Sequence, residues 1–107
     1  MVIRRFEVWL INLDPTIGKE VKKTRPGLVL SQDVANKYLG TITIVPLTST
    51  LKSYPTRVNC EFQGKPGQVM IDQIRSLDKS RFIKKLGGMD ASTAEDICDA
   101  MVEIFKY

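Results

Sequence analysis

The sequence predicts a small, mainly β domain of the α+β class with one helix at its C-terminal end. Short alternating or β-branched apolar runs recur over residues 5–77, and turns containing Pro or Gly separate them. One amphipathic helical pattern follows over residues 90–107. Several strands followed by one helix are typical of α+β folds and small barrels. The 107 residues suit a single domain, 1–107.

Five strands are predicted in order, over residues 5–13, 27–31, 41–45, 56–62 and 69–77. Phe6, Val8 and Leu10 alternate with their neighbours in the first strand, and Pro46 is expected to end the third. Residues 47–56 are polar and are predicted to form a loop, and residues 63–67 a turn. Residues 78–83 have no clear periodicity, so no element is assigned to them.

Two helical segments are expected. Residues 33–38 can form one short turn with Asp33 or Ser31 as its cap. The longer helix over 90–107 has a capping-box pattern in residues 92–95. Its apolar stripe, which we expect to pack on the domain or in a dimer, comprises Ile97, Met101, Ile104 and Phe105.

The absence of histidine excludes several catalytic classes. A Ser-His-Asp triad, a Cys-His pair, an HExxH zinc site and two-histidine ribonuclease chemistry are all impossible. The two cysteines, Cys60 and Cys98, lack the spacing of a zinc site or disulfide framework, so reduced thiols are expected. No apolar run is long enough to cross a bilayer and no signal peptide is evident, which predicts a cytoplasmic protein without membrane contact.

Charge is distributed unevenly along the chain. Residues 1–88 hold 15 of the 16 basic residues but only 7 of the 12 acidic ones, whereas the tail is acidic. A basic body favours a polyanionic partner such as nucleic acid, although many domains carry comparable charge without binding one. The polar loop over residues 12–26 carries four cations around Glu20, and long loops in small domains are usually functional.

Three motifs, in order along nearly the whole chain, resemble the MazF/PemK toxins. The first is discontinuous and comprises Val8-Trp9-Leu10, Leu13-Asp14-Pro15-Thr16, Gly18-Lys19-Glu20 and Thr24-Arg25-Pro26. The second is Val45-Pro46-Leu47-Thr48-Ser49, and the third runs from Asp72 to Arg81.

The resemblance implies an SH3-like small β-barrel with a C-terminal α-helix, assembled as a homodimer. It implies a ribosome-independent endoribonuclease that cuts single-stranded RNA at short sequences without a metal or other cofactor. It also implies a cognate antitoxin that lays a disordered segment along the RNA groove. The basic body suggests that this segment is acidic with apolar anchors.

By the same resemblance, Arg25 and Thr48 match the family's catalytic positions. Metal-free cleavage uses the ribose 2′-OH as nucleophile and needs a cation at the phosphate, which Arg25 can supply. Thr48 can donate a hydrogen bond to the same phosphate, and Glu20 is the first candidate base, ahead of Asp72. The residues expected to bind substrate are Thr16, Lys19, Ser49, Lys52, Asp72 and Gln73.

Structural alternatives stand beside several of these assignments. Arg25 can form a surface ion pair with Glu20, and Asp72 can cap or pair at a strand edge. Arg75 and Arg81 can be solvated or salt-bridged, and this alternative is favoured for Arg75. Tyr54 and Lys52 can contact RNA or belong to a solvated loop, while Trp9 is expected in the core.

Two departures from the family pattern affect the chemistry. Some PemK-like members carry histidine where this chain has Lys19 and arginine where it has Met70. The proton-transfer roles of that subgroup therefore do not transfer to this chain. Two other functions stay open on sequence grounds: a gyrase-binding topoisomerase poison of the same fold, and an RNA-binding module without catalysis.

Overall fold

The computed structural model describes residues 1–20 and 23–107, so Val21 and Lys22 of the predicted polar loop lie outside the described residues. The described chain is a mainly antiparallel β sheet with a C-terminal helix, as predicted. Its strands are β1 Glu7–Asn12, β2 Thr24–Val29, β3 Thr41–Thr48, β4 Arg57–Phe62, β5 Lys65–Met70, β6 Arg75–Asp78 and β7 Phe82–Gly88. The α-helices are α1 Asp33–Tyr38 and α2 Ala91–Phe105, and 3₁₀ turns occur at Ile71–Gln73 and Lys79–Arg81.

The strands follow the order β4-β5-β3-β2-β1-β7, and β6 pairs with the first half of β3. No backbone pair joins the outer strands β4 and β7 within the described ranges, so the barrel is not fully closed. Side chains bridge this opening, which we call the seam. Gln63 Nε2 donates to the Leu86 carbonyl at 3.0 Å, and the Phe62 ring packs against Gly87, where a Cβ would lie 3.2 Å from it.

The core lies in two clusters because neighbouring strand residues point to opposite faces of the sheet. Trp9 and Ile11 belong to one cluster, and Val8 belongs to the other, with Ile97 of α2. Trp9 is only 6% exposed and meets Phe82 edge-on at 6.0 Å between ring centroids, which confirms the core prediction.

The stripe on α2 is only partly buried. Ile97 is in the core and Met101 and Ile104 pack against it, whereas Phe105 is exposed. No helix in the described part of the chain is long and apolar enough to cross a bilayer.

The predicted strand over 69–77 is wrong because the chain turns in its middle. Val69, Met70 and Ile71 are all buried, so this run does not alternate as a half-exposed strand would. Ile74 N donates to Ile71 O at 3.1 Å and closes the 3₁₀ turn between β5 and β6. The turn is needed because β5 and β6 pair with opposite halves of β3.

Two boundaries near prolines also differ from prediction. β3 continues through Pro46 to Thr48, so the following loop begins at Ser49. Pro46 lies where β3 changes partner from β6 to β5, a position that tolerates a missing N–H. β2 begins at Thr24, which places Arg25 in a strand, and Pro26 is tolerated because only β1 pairs with β2 there.

The β4–β5 connection is tighter than the predicted turn of residues 63–67. Phe62 pairs with Lys65, so the hairpin loop is the two residues Gln63 and Gly64. Both have positive φ angles, 53° and 76°, as a type I′ hairpin turn requires. β5 therefore begins at Lys65.

Strand β7 was not predicted. Its Ile83, Lys84 and Lys85 are exposed, and two register shifts interrupt its pairing with β1, so no clean alternation marks it in the sequence.

The predicted helix caps are also wrong. Asp90 caps α2 by accepting from Thr93 N at 3.0 Å, rather than Ser92 through a capping box. Residue Gln32 precedes α1 and makes no side-chain capping bond, while Asp33 accepts instead from Arg5 N at 2.7 Å.

Candidate functional site

A groove of about 440 Å³ runs along the seam and reaches the ends of the central strands. It brings together residues from β2 through β5 and from β7. Its described lining comprises Lys23, Thr24, Arg25, Pro26, Leu47, Thr48, Ser49, Cys60, Phe62, Gln63, Lys65, Pro66, Gly67 and Leu86. Three predicted site residues, Arg25, Thr48 and Ser49, therefore share one cavity.

Strand register explains why Arg25 and Thr48 are neighbours. The backbone pairing of β2 with β3 ends at Gly27 and Pro46. Continuing the same antiparallel register by two residues places Arg25 opposite Thr48, on one face of the sheet. On its other edge Arg25 stays paired with Ile11 of β1. The groove therefore opens where β2 and β3 stop pairing, with Arg25 and Thr48 on either side.

Thr48 is fixed by its backbone and by its hydroxyl. It pairs with Gln68 of β5, and a Cβ on Gly67 would lie only 2.8 Å from the Thr48 carbonyl oxygen. Only glycine permits this close approach without a backbone shift. Thr48 Oγ1 accepts from Thr50 N at 3.1 Å, which leaves the hydroxyl hydrogen available for donation into the groove.

The loop after Thr48 is tied to β5 by a buried amide. Gln68 is 4% exposed, accepts from Lys52 N at 3.0 Å and donates to Lys52 O at 2.9 Å. The same Nε2 donates to Asn59 Oδ1 at 3.0 Å. The Lys52 backbone is thereby held in place while the residue stays exposed.

The groove is electropositive. Lys23, Arg25 and Lys65 line it, and no carboxylate is among its described lining residues. Three cations around one cavity suit a phosphate-bearing ligand.

Arginines from the third motif support the loop that precedes β2. Arg75 Nη1 donates to Leu13 O at 3.3 Å, and Arg81 Nη1 donates to the carbonyls of Asn12 and Asp14. The solvated or salt-bridged state favoured for Arg75 is thus wrong, and both arginines make hydrogen bonds to the backbone instead. They hold the start of the loop in place.

The remaining predicted residues lie outside the described groove lining. Glu20, Thr16 and Lys19 belong to the loop between β1 and β2, where Glu20 Oε1 accepts from Ile17 N at 2.6 Å. Lys52 is exposed in the tethered loop. Asp72 and Gln73 lie in the 3₁₀ turn.

Asp72 is ion-paired with Arg57 at 2.9 Å. This confirms the structural alternative for Asp72, that of a residue paired at a strand edge. Burial raises the pKa of the Asp72 carboxyl, but hydrogen bonds from Arg57 and Thr56 outweigh it, and the pKa falls below its ordinary value. Met70, at the position where some relatives carry arginine, is buried in the core.

Among the lining residues that the sequence did not assign to the site are Lys23, Cys60, Phe62 and Lys65. The alternation of β4 places Cys60 and Phe62 on one face, but only the folded seam shows what that face borders. Both cysteines are free, and burial together with the charge of Asp90 raises the pKa of the Cys60 thiol. Within residues 1–20 and 23–107, no cluster of three or more Cys, Asp or Glu side chains is arranged to hold a metal ion.

Similar proteins have the same fold. The family of PemK-like, MazF-like toxins of type II toxin–antitoxin systems matches residues 4–105. The endoribonuclease MazF9 of Mycobacterium tuberculosis is 34% identical, over 94% of this chain and 93% of its own. The crystal structure of MazF from Deinococcus radiodurans superposes with a TM-score of 0.87 at 29% identity, covering 100% of this chain and 99% of that chain.

A MazE–MazF crystal structure from Deinococcus radiodurans matches at 30% identity with a TM-score of 0.80, over 97% of this chain and 96% of that one. The match over residues 4–105 spans all seven strands and both helices, including the groove that holds Arg25 and Thr48. This chain therefore belongs to the PemK-like, MazF-like toxin family of type II toxin–antitoxin systems.

Proposed function

We propose that this protein is a ribosome-independent endoribonuclease toxin that cuts single-stranded RNA at a short sequence without a metal ion. The observation that carries the proposal is the meeting of Arg25 and Thr48 in one basic groove. Its relative MazF9 is named an endoribonuclease, which supports the same reaction class. Family membership supports a toxin role in an antitoxin-controlled pair.

The chemistry follows from the charges that develop during cleavage. The 2′-OH gives up its proton to a base and attacks the adjacent phosphorus, a phosphorane with added negative charge forms, and the 5′ oxygen leaves with a proton taken from solvent. The products are a 2′,3′-cyclic phosphate and a 5′-OH end. Arg25 stabilises the phosphorane as a fixed cation rather than as a base, because guanidinium keeps its proton. Thr48 donates its hydroxyl hydrogen to the same phosphate.

Glu20 is the proposed proton acceptor. Asp72 suits this role less well, because its carboxylate is engaged by Arg57 and its lowered pKa weakens it as a base. Glu20 lies outside the groove lining, so the loop that carries it must approach bound RNA. RNA contacts around Arg25, Thr48 and Glu20 are proposed to come from Thr16, Lys19, Ser49, Lys52 and Gln73.

The proposed partners are single-stranded RNA, a second copy of the chain and a cognate antitoxin with an acidic disordered segment. The cations Lys23, Arg25 and Lys65 complement such a segment. The Deinococcus radiodurans MazE–MazF structure supports an antitoxin partner. The exposed apolar residues Val102 and Phe105 on α2 are compatible with a homodimer surface.

The test incubates the purified protein with a long mixed-sequence RNA in EDTA and maps the new ends. We expect cuts at one short motif with 5′-OH ends. Arg25→Ala should fold normally and cut about 10²–10³-fold more slowly, because one preorganised donor is lost. Arg4→Ala, which removes an exposed arginine outside the groove, is the matched control and should cut like the parent protein.

A folded, fully active Arg25→Ala protein would overturn the site assignment. Parent protein that leaves RNA intact but traps gyrase would favour the topoisomerase-poison alternative. Binding of intact RNA without cleavage would favour a non-catalytic RNA-binding module.

A further inference from the structure

The segment from Tyr54 to Arg57 is a rigid turn at the start of β4. Arg57 N donates to Tyr54 O at 3.0 Å, and Pro55 occupies the second position, where its fixed φ favours such a turn. Ile71 N donates to Thr56 O at 3.0 Å and anchors the turn to the end of β5. The turn brings the side chains of Tyr54 and Arg57 together.

The guanidinium of Arg57 is held on one face of the Tyr54 ring. Arg57 Cζ lies 5.2 Å from the ring centroid. Two hydrogen bonds to Asp72 fix the guanidinium, from Nε to Oδ1 at 2.9 Å and from Nη2 to Oδ2 at 3.3 Å. Thr56 Oγ1 donates to the same carboxylate at 3.1 Å. The Arg57 side chain is only 12% exposed, so its position is set by these contacts.

The Tyr54 ring is still available to a ligand. The residue is 51% exposed, although Arg57 covers one face of its ring. An aromatic ring with one face backed by a cation and the rest open to solvent is a surface on which a nucleic-acid base can stack. Because the turn and the ion pair already order the ring, stacking costs little additional conformational entropy.

The ring lies close to the groove along the sheet. Thr48 pairs with Gln68 of β5, and Gln68 pairs with Asn59 of β4. Arg57 lies two residues before Asn59, so the side chains of Thr48 and Arg57 are on the same face of the sheet. Two strand spacings of about 4.8 Å and two residues of about 3.3 Å separate their backbones by roughly 12 Å, a few nucleotides along a strand of RNA. An RNA strand with one phosphate at Arg25 and Thr48 can therefore extend to Tyr54.

We propose that Tyr54 is a stacking platform for an unpaired base flanking the scissile phosphodiester, and that Arg57 and Asp72 are its positioning residues. The proposal rests on the endoribonuclease function proposed above and adds a substrate contact outside the catalytic groove. In this proposal the Asp72–Arg57 ion pair positions the guanidinium that packs on the Tyr54 ring.

The test is abasic scanning of a single-stranded RNA oligonucleotide that contains the mapped cleavage motif. With the parent protein, removing the stacked base should raise KM by about 5- to 150-fold and leave kcat nearly unchanged. Tyr54→Ala should raise KM similarly on the intact oligonucleotide and become insensitive to the abasic site. Tyr54→Phe should retain most of the affinity, because it keeps the ring.

The positioning roles are tested by the same readout. Arg57→Gln should raise KM on the intact oligonucleotide but not on the abasic one, and Arg57→Lys, which keeps a cation near the ring, should restore part of the loss. Circular dichroism must show each variant folded. An unchanged KM for Tyr54→Ala, or a loss that is equal on intact and abasic RNA, would overturn the platform.

Failure of the proposed endoribonuclease function can be told apart from failure of the stacking platform. If the parent protein cuts no RNA, the endoribonuclease proposal fails, and the platform is tested by equilibrium binding of short RNA homopolymers. A Kd raised about 5- to 150-fold by Tyr54→Ala then supports a stacking platform on a non-catalytic RNA binder. An unchanged Kd overturns it.

Discussion

Thr48 shows how the placement of a single hydroxyl, which we propose to be catalytic, depends on a neighbouring glycine. The Thr48 carbonyl approaches Gly67 so closely that the two strands leave no room for a Cβ. The approach also places Thr48 Oγ1 where Thr50 N can donate to it. The position of the Thr48 hydroxyl in the groove thus depends on β5, the strand next to β3.

Gly67→Ala should displace Thr48, because the added methyl would lie 2.8 Å from a backbone oxygen. We expect a loss of about 1–3 kcal/mol in unfolding free energy and slower RNA cleavage. Urea denaturation and single-turnover cleavage measure the two effects. Gly40→Ala is the matched control, since its Cβ would meet nothing within 4 Å. Equal stability of the two variants would contradict the packing explanation.

The sequence identified Arg25 and Thr48 but not their setting. Their motifs carried the resemblance, whereas their meeting depends on the β2–β3 register, which no local pattern encodes. The sequence does not predict the role proposed for Arg57, because that role depends on the bond to Asp72, fifteen positions away. Such pairing is a tertiary property that periodicity does not report.

At the scale of elements, the loop from Ser49 to Tyr54 is held at its middle and at its C-terminal end. The Gln68 side chain makes hydrogen bonds with both Lys52 N and Lys52 O, and the turn beginning at Tyr54 is anchored to the end of β5. The polarity of this segment correctly indicated a loop, but not its tether, because a buried glutamine is unusual and its partners are set by the fold.

Gln68→Leu should release this loop while keeping an apolar side chain of similar size in the buried site. Loss of the two bonds to Lys52 should make trypsin cleavage after Lys52 about tenfold faster. The rate is followed by mass spectrometry under native conditions. Gln32→Leu, at an exposed glutamine without a capping bond, should leave this rate unchanged. Equal rates in both variants would show that Gln68 does not tether the loop.

The helices and strands that the sequence predicts correctly are those whose signal is local in the sequence. The span of α1 was predicted correctly and that of α2 nearly so, because helical periodicity is a local signal. Strand β7 was missed because it is exposed and irregular, and it is stabilised by its pairing with β1. The sequence predicts one strand over residues 69–77, because the turn in its middle is imposed by pairing with the two halves of β3 and not by a local pattern.

For the whole molecule, Glu7 links the N-terminal segment to the sheet. Its carboxylate is buried, accepts from Arg4 N at 2.7 Å and from Trp9 Nε1 at 3.0 Å, and pairs with Lys85 at 2.8 Å. Burial raises the pKa of this carboxyl, but the bonds from Lys85, Arg4 and Trp9 outweigh it, and the pKa lies below its ordinary value of 4.5.

Glu7→Gln should therefore change the pH dependence of global stability. Because the folded-state pKa is lower than the unfolded-state pKa, the unfolded chain binds the proton more readily. The stabilisation is fully present above about pH 4.5 and is lost as pH falls through the folded-state value. At pH 7 the variant should be about 1–3 kcal/mol less stable, and the difference should shrink below pH 4.5.

Urea denaturation across this pH range measures the effect. The exposed Glu61→Gln on β4 serves as control and should leave stability at pH 7 nearly unchanged. A stability difference between the parent and Glu7→Gln that stays constant with pH would contradict the assigned role of the charge.

The seam between β4 and β7 is where the barrel can change its width. Neighbouring strands in the order from β4 to β7 are joined by backbone ladders, whereas side-chain contacts span the gap between the ends, among them the Phe62–Gly87 contact and the hydrogen bond from Gln63 to Leu86. Widening the gap therefore breaks no backbone ladder. The groove lies along this line, so its width can adapt to a ligand while the ladders of β1–β2 and β3–β5 keep Arg25 and Thr48 in place.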